Sequence, residues 1–229
     1  MKKLVVLTGA GISAESGIKT FRDADGLWES HDIMEVASFS GFIKNPELVL
    51  DFYNKRRKQL FEVQPNLAHD ILTQLESYFE VFIITQNIDD LHERSGSTNV
   101  IHLHGELLKA RNIKDPNSII EWKNNINLGD VDSKNIQLRP HIVWFGEEVP
   151  EMEKAIKIVE QADYLLVVGT SLQVYPAAGL INYVSEDVLV YYIDPKPVEI
   201  NDLDNPIKII PLSATKGMKI VSEELKRLK

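Results

Sequence analysis

This chain of 229 residues has no cysteine. Disulfides, a thiol nucleophile and a thiolate-bound zinc are therefore excluded. Positive charge is also scarce: 25 Lys and Arg face 34 Asp and Glu, a formal net charge of -9. Nucleic acid is thus not the expected partner, because phosphates must be neutralised by clustered cations. An acidic balance suits lysine-bearing protein substrates better. Long hydrophobic runs are missing too; none approaches the ~20 residues that span a bilayer, so no membrane partner is expected. Met1-Lys2-Lys3 leads straight into a strand-like run with no small-residue cleavage site. This start does not read as a signal peptide, and cytoplasmic residence is the expectation.

What is present is the composition of a globular protein, 44% hydrophobic and 26% charged. The length suits one sizeable domain with a small inserted module, and a monomer is expected. Apolar, β-branched runs recur at 3–8, 81–85, 99–103, 164–169, 188–193 and 207–210. Between several of them lie helix-period faces: Leu67, Ile71, Leu72, Leu75 and Tyr78, then Met152, Ala155, Ile156, Val159 and Ala162. Met218, Val221, Leu225 and Leu228 repeat the pattern at the C-terminus. Strands alternating with helices predict an α/β fold, a Rossmann-like parallel sheet with helices on both faces. Residues 1–22, 65–106 and 140–229 are assigned to it. Residues 23–64, with a helix predicted over 47–61, and the polar stretch 107–139 are assigned to a small inserted module.

The first strand feeds Thr8-Gly9-Ala10-Gly11-Ile12-Ser13-Ala14. Gly9, Gly11 and Ala14 fit the dinucleotide pattern G-x-G-x-x-G/A, in which a glycine turn and a helix N-terminus receive an anion. Taken alone, the same glycines also suit a plain structural turn. The acidic residue that an ordinary dehydrogenase places about 20 residues on, ending its second strand, is not there. A polar loop from Arg22 to Glu29 occupies that interval. After the strand at 81–85 comes Gln86-Asn87-Ile88-Asp89, able to cap a helix or to meet a ligand at the sheet's carboxyl edge. Val100-Ile101-His102-Leu103-His104-Gly105 follows. One histidine is expected to pack within the protein, and the other to be presented to the crevice by the glycine turn.

Taken together and in order, Gly9-Ala10-Gly11-Ile12-Ser13, Gly17 with Phe21-Arg22, Thr85-Gln86-Asn87-Ile88-Asp89, His104-Gly105, Val143-Trp144-Phe145-Gly146-Glu147 and Gly169-Thr170-Ser171 resemble the motif set of the sirtuins, NAD-dependent protein-lysine deacylases. The resemblance runs from about residue 4 to 215. It implies NAD as co-substrate, acyl-lysine proteins or peptides as partners, and free lysine, nicotinamide and O-acyl-ADP-ribose as products. In that chemistry the acyl oxygen attacks the nicotinamide ribose, nicotinamide leaves, and His104 acts as general base on a ribose hydroxyl. Asn87 and Asp89 join His104 as implied catalytic residues, with Gln86 and Ile88 beside them on the cofactor. Gly9, Ala10, Gly11, Ser13, Phe21, Arg22 and Trp28 are the implied pyrophosphate and nicotinamide contacts. Gly169, Thr170, Ser171 and Ala214 fall to the adenosine side. Asp194 stands where many sirtuins carry Asn; it could accept ribose hydroxyls or serve as a turn residue before Pro195. Residues Val143, Trp144, Phe145, Gly146 and Glu147 match the segment on which a peptide substrate pairs as an added strand.

Tyr53 and Arg56, three apart on a predicted helix, are similar to the acyl-pocket pair of the class III sirtuins, which act on succinyl- and malonyl-lysine. An Arg fork beside a Tyr hydroxyl can grip a terminal carboxylate, and Ala37 fits the small residue that widens such a pocket. A Lys/Arg run such as 55–58 is otherwise an ordinary solvated surface. Departing from most sirtuins, the interval from His104 to Val143 carries no cysteine for a structural zinc. The module is instead expected to be zinc-free, held by Leu107, Leu108, Ile113, Ile119, Ile120, Trp122, Ile126, Leu128, Val131, Ile136 and Leu138. The alternatives are mono-ADP-ribosyl transfer or NAD glycohydrolysis by the same site, and a non-catalytic NAD or ADP-ribose sensor.

Overall fold

The computed structural model describes residues 1–20, 27–28, 31–200 and 203–228. In chain order its elements are β1 (Lys3–Thr8), α1 (Ala10–Ser13), β2 (Leu27–Trp28), β3 (His31–Asp32), α2 (Ile33–Val36), α3 (Phe39–Lys44), α4 (Pro46–Glu62) and α5 (Leu67–Leu75). Then come β4 (Glu80–Thr85), α6 (Leu91–Ser95), β5 (Val100–His102), β6 (Gly105–Asn112), β7 (Ile120–Glu121) and β8 (Leu138–Ile142). The chain closes with α7 (Met152–Val159), β9 (Tyr164–Val168), a 3-10 segment at Ala177–Tyr183, β10 (Leu189–Ile193), β11 (Ile207–Ile210) and α8 (Ala214–Arg227).

Six strands form one parallel sheet in the order β11-β10-β9-β1-β4-β5. Strand β1 is central, and its alternation explains why. Leu4 and Val6 enter the core beneath α5 and α8, while Val5 and Leu7 enter the opposite core beneath α7 and the 3-10 segment. Only a strand covered on both faces can be apolar at every position. The chain runs from β1 outward through β4 to β5, then returns to the other side of β1 and runs outward through β9 to β11. The direction of winding therefore switches between β1 and β9, the place where open α/β sheets bind ligands at their carboxyl edge.

A third core belongs to the module and packs α4 against an antiparallel sheet of order β7-β6-β8. Asn45 caps α4 by accepting from the Leu48 N–H at 3.2 Å, and Pro46 occupies its first turn, where a missing N–H costs nothing. The sequence reading left residues 107–139 without secondary structure. Strand β6 shows no simple alternation: Glu106, Leu108 and Lys109 are part-exposed, and Arg111 and Asn112 at its end are buried polar residues. The expected apolar support is only partly apolar in fact. Leu107, Ile126 and Leu138 are buried, Leu108, Ile113, Trp122 and Ile136 half-buried, and Ile119, Ile120, Leu128 and Val131 exposed.

Polar turns do the remaining work. Asn112, 1% exposed, donates to Asp132 at 2.7 Å and accepts the backbone N–H groups of Lys114 and Asp115 at 2.9 and 2.7 Å. Asp132 in turn accepts from the N–H groups of Lys134 and Ile136. Among the described residues there is no cluster of three or more His, Asp or Glu side chains able to hold a metal ion.

Candidate active site

The glycine loop after β1 lies against the loop after β9, and the fit is at backbone distance. Gly9 N–H donates to Val168 O at 3.1 Å and Gly11 N–H to Gly169 O at 2.8 Å. A Cβ on Gly11 would stand 2.6 Å from the Gly169 Cα, and one on Gly169, whose φ is +63°, 2.3 Å from the Ile12 nitrogen. These glycines are required because two main chains touch there. The helix expected after the loop is a single turn, Ala10–Ser13, followed by a 3-10 turn to Ser16. Its dipole is accordingly small.

Asn66 anchors this loop from below. Its side chain caps α5 through the Ala68 N–H at 2.9 Å and donates to Ile12 O at 2.8 Å. Glu15 ties the loop to the start of α8, accepting from the Ser213 hydroxyl at 3.1 Å and from Thr215 N–H and Oγ1 at 2.9 and 2.7 Å.

A cavity of about 430 Å³ extends from these loops to the module. Gly9, Ala10, Gly11, Gly169, Thr170, Ser171 and Asp194 line one part of it, and Gln86, Asn87, Ile88, Asp89 and His104 another. Ala37, Tyr53, Arg56, Val143, Trp144, Phe145, Gly146 and Glu147 line the part against the module. Ser13 sits just behind the wall. Its hydroxyl donates to Asp89 Oδ2 at 3.0 Å and accepts from Asn87 Nδ2 at 3.2 Å, so three of the expected residues form one chain of bonds. Asp89 Oδ1 also accepts the Leu91 N–H at 3.2 Å, which ties this cavity-lining carboxylate to the start of α6. Burial pushes the Asp89 carboxyl up to about 6, against the pull of those two donors.

The two histidines divide as expected, for a reason that lies in the turn. A continued strand would put His102 and His104 on one face. Strand β5 ends at His102, and the turn through His104 to Gly105 (φ +81°) sends the second imidazole to the cavity. A Cβ on Gly105 would meet the His141 carbonyl oxygen at 2.1 Å. His104 Nδ1 donates to the Gln86 carbonyl at 3.0 Å, which fixes the neutral tautomer and leaves Nε2 with its lone pair. Burial holds its pKa below the usual histidine value, so the free base is the resting form near neutrality. His102 lies between the Asn87 carbonyl at 3.0 Å and Glu93 at 2.7 Å. Burial opposes its charge, but the Glu93 carboxylate and the Asn87 carbonyl prevail and raise its pKa.

Asp194 is buried at the cavity edge, and its Oδ1 accepts the Lys196 N–H at 2.8 Å, so it closes the turn and borders the cavity together. Ala214 packs in the core beneath β1, and its neighbour Ser213 lines the cavity. Phe21 and Arg22 lie outside the described residues, and Trp28 is placed only as the second residue of β2. The cavity also gathers Glu15, Gln59, Tyr175 and Lys196, which carry no motif signal. Gln59 was findable: it lies one helical turn beyond Arg56 on α4.

On the module side, Tyr53 and Arg56 share a face of α4, and the Arg56 guanidinium carbon sits 3.8 Å from the centroid of the Phe52 ring. The basic run around them is not one solvated surface. Lys55 is exposed and pairs with Asp51, while Arg57 is 1% exposed and donates to the Leu107 carbonyl at 3.0 Å and to Asn54 at 2.8 Å. Phe145 N–H bonds the Ala37 carbonyl at 2.9 Å, which brings the segment after β8 alongside α2.

Residues 9–176 match the Sir2 family. A protein of Helicobacter pylori named NAD-dependent protein deacylase is 64% identical over 196 residues, covering 86% of each chain. A Bacteroides thetaiotaomicron protein of the same name is 52% identical over 234 residues, covering 100% of this chain and 98% of its own. Among solved structures, a Sir2 homologue complexed with NAD superposes with a TM-score of 0.86 at 38% identity, covering 99% of this chain and 90% of its own. A mutant Sir2 complexed with a p53 peptide and NAD gives 0.77 at 29% identity, covering 96% and 92%. Motif order, sheet topology and these likenesses agree: the chain belongs to the Sir2 family, the sirtuins.

Proposed function

We propose that this sirtuin is an NAD-dependent protein-lysine deacylase that removes carboxylate-ended acyl groups, succinyl and malonyl, as well as acetyl. The observation that carries the reading is a single cavity bordered by a glycine cradle, a neutral buried histidine and a Tyr–Arg pair. The relatives' shared name supports the coarser activity.

The residues present fit NAD, because the closely packed loops of Gly9, Ala10 and Gly11 and of Gly169, Thr170 and Ser171 border one cavity at the carboxyl edge of the sheet. The loops after β1 and β9 would hold its pyrophosphate and adenosine, and Asn87, Ile88 and Asp89 its nicotinamide end. When bound, NAD supplies an ADP-ribosyl group that accepts the acyl oxygen as nicotinamide departs. Asn87 and Asp89, locked through Ser13, can orient the departing ring at no cost in reorganisation. His104 Nε2 is the atom able to take a proton from a hydroxyl in the cavity, and the Gln86 carbonyl keeps it in that tautomer. Val143 to Glu147 borders the cavity and would be the segment on which an extended peptide pairs.

At the acyl end, Tyr53 and Arg56 offer a hydroxyl and a guanidinium to a carboxylate. Matched acetyl- and succinyl-lysine peptides, incubated with and without NAD and read by mass spectrometry, test the proposal. NAD-dependent loss of succinyl, with O-succinyl-ADP-ribose appearing, is expected. Arg56→Met should lower the succinyl/acetyl ratio of kcat/KM by about tenfold or more. Acetyl loss alone, or a ratio unmoved by Arg56→Met, would remove the acyl assignment.

A further inference from the structure

The wall behind Tyr53 is built with more care than an apolar pocket needs. Trp144 is 1% exposed, and its indole Nε1–H donates to the Tyr53 hydroxyl oxygen at 3.1 Å. The two rings stand 6.4 Å apart at 33°. Over the indole ring, the Arg139 guanidinium carbon lies 3.2 Å from the centroid. Arg139 is itself pinned, donating to Glu147 at 2.6 and 3.0 Å and to the Ile142 carbonyl at 2.8 Å. Glu147 completes the clamp by accepting the Trp144 backbone N–H at 2.8 Å and Arg111 at 3.1 Å. Main chain and ring of Trp144 are thus fixed by one carboxylate and two guanidinium groups.

An indole N–H can only donate. Its bond to Tyr53 therefore fills a lone pair on the phenol oxygen and turns the hydroxyl hydrogen away from Trp144. Burial raises the Tyr53 pKa, so that hydrogen is retained throughout the working range of pH. A phenylalanine at 144 would pack similarly but could not donate.

We infer that Trp144 is a positioning residue for acyl specificity: its indole N–H aims the Tyr53 hydroxyl toward the terminal carboxylate of the acyl chain, beside Arg56. The inference rests on the carboxylated-acyl reading proposed above. Arg139 and Glu147 act behind it by holding the indole in place.

The test is a double-mutant cycle on the succinyl/acetyl ratio of kcat/KM, with thermal melts as the check on folding. Trp144→Phe should lower the ratio about tenfold, chiefly through the KM for the succinyl peptide. Tyr53→Phe should lower it at least as much, and adding Trp144→Phe to that background should change it no further. A packing defect would not show this dependence on the phenol. An unchanged ratio in Trp144→Phe, or an equal drop on both backgrounds, overturns the inference while Arg56 dependence still upholds succinyl recognition. Failure of the wild type to take succinyl at all would remove that recognition, and the inference with it. Should Trp144→Phe not fold, Arg139→Lys keeps the charge for Glu147 but withdraws the planar group from the indole. It should shift the ratio the same way by about threefold, and no shift overturns the inference.

Discussion

His104 shows how one side chain acquires its role from two neighbours. The Gln86 carbonyl decides which nitrogen carries the proton, and burial decides that the other stays unprotonated. Replacing it with alanine should lower kcat by about 10²–10⁴-fold, the range of a lost general base, in the NAD-dependent peptide assay. Because its pKa is held down, the acid limb of kcat/KM should fall below pH 6.5; an apparent pKa above that value would contradict the assignment. Asp89, pushed up to about 6, adds to the same limb and does not displace it upward. Most of these residues could be read in advance because each belongs to a short motif beside a strand end. Arg57 could not. In sequence it is one cation among Lys55, Arg56 and Lys58, and only the partner carbonyl of Leu107, 50 positions away, explains its burial. The indole bond of Trp144 to Tyr53 was equally hidden, since 91 residues separate the partners.

Among the elements, the paired loops after β1 and β9 are the least tolerant. Gly11→Ala would drive a methyl into the Gly169 backbone, which no rotamer can relieve. Loss of ADP-ribose binding with a lowered melting temperature is the expected outcome, read by calorimetric titration and a thermal melt. In the module, the turn built on Asn112 does what apolar side chains do only in part. Asn112→Ala leaves Asp132 and two backbone N–H groups short of a partner and should destabilise by about 1–3 kcal/mol, measurable by chemical denaturation. Chelators should leave both proteins unchanged, since the chain offers no thiolate ligand. Helix α6 is tied to β5 by Glu93 and His102. Since the His102 pKa is raised on folding, its stabilisation is fully present below pH 6.5 and lost as pH rises through the folded value. Glu93→Gln should therefore flatten the stability loss on the alkaline side. The long helices and all six parallel strands were legible from apolar periodicity, with ends shifted by a residue or two. The antiparallel module sheet was not, because its strands are held by polar turns and a buried arginine rather than by an alternating face.

At the scale of the whole molecule, histidines that the fold keeps uncharged contribute to a loss of stability in acid. His69 caps α5 through Asn66 and packs edge-on against His92 at 4.9 Å, both inaccessible to solvent. Burial lowers the His69 pKa to about 4 and that of His92 well below the ordinary value. Below pH 6.5 an unfolded chain binds protons that these sites refuse, so stability falls as pH drops from 6.5 toward 4. For His69 alone the loss by pH 4 is on the order of 3 kcal/mol. Denaturation midpoints at pH 7 and pH 4.5 check this, and His69→Gln should reduce the difference.

The central place of β1 has a bearing on how the protein is made. During synthesis β1 can pair on one side with β4, some 80 residues later, but its other edge waits for β9. Until Tyr164–Val168 emerges, Gly9 and Gly11 have no Gly169 to rest against, and the newborn chain holds an unpaired apolar edge and half a nucleotide cradle. Nicotinamide nucleotide therefore cannot act as a folding template before β9 is made, and can reward only a chain that already carries both halves of the cradle.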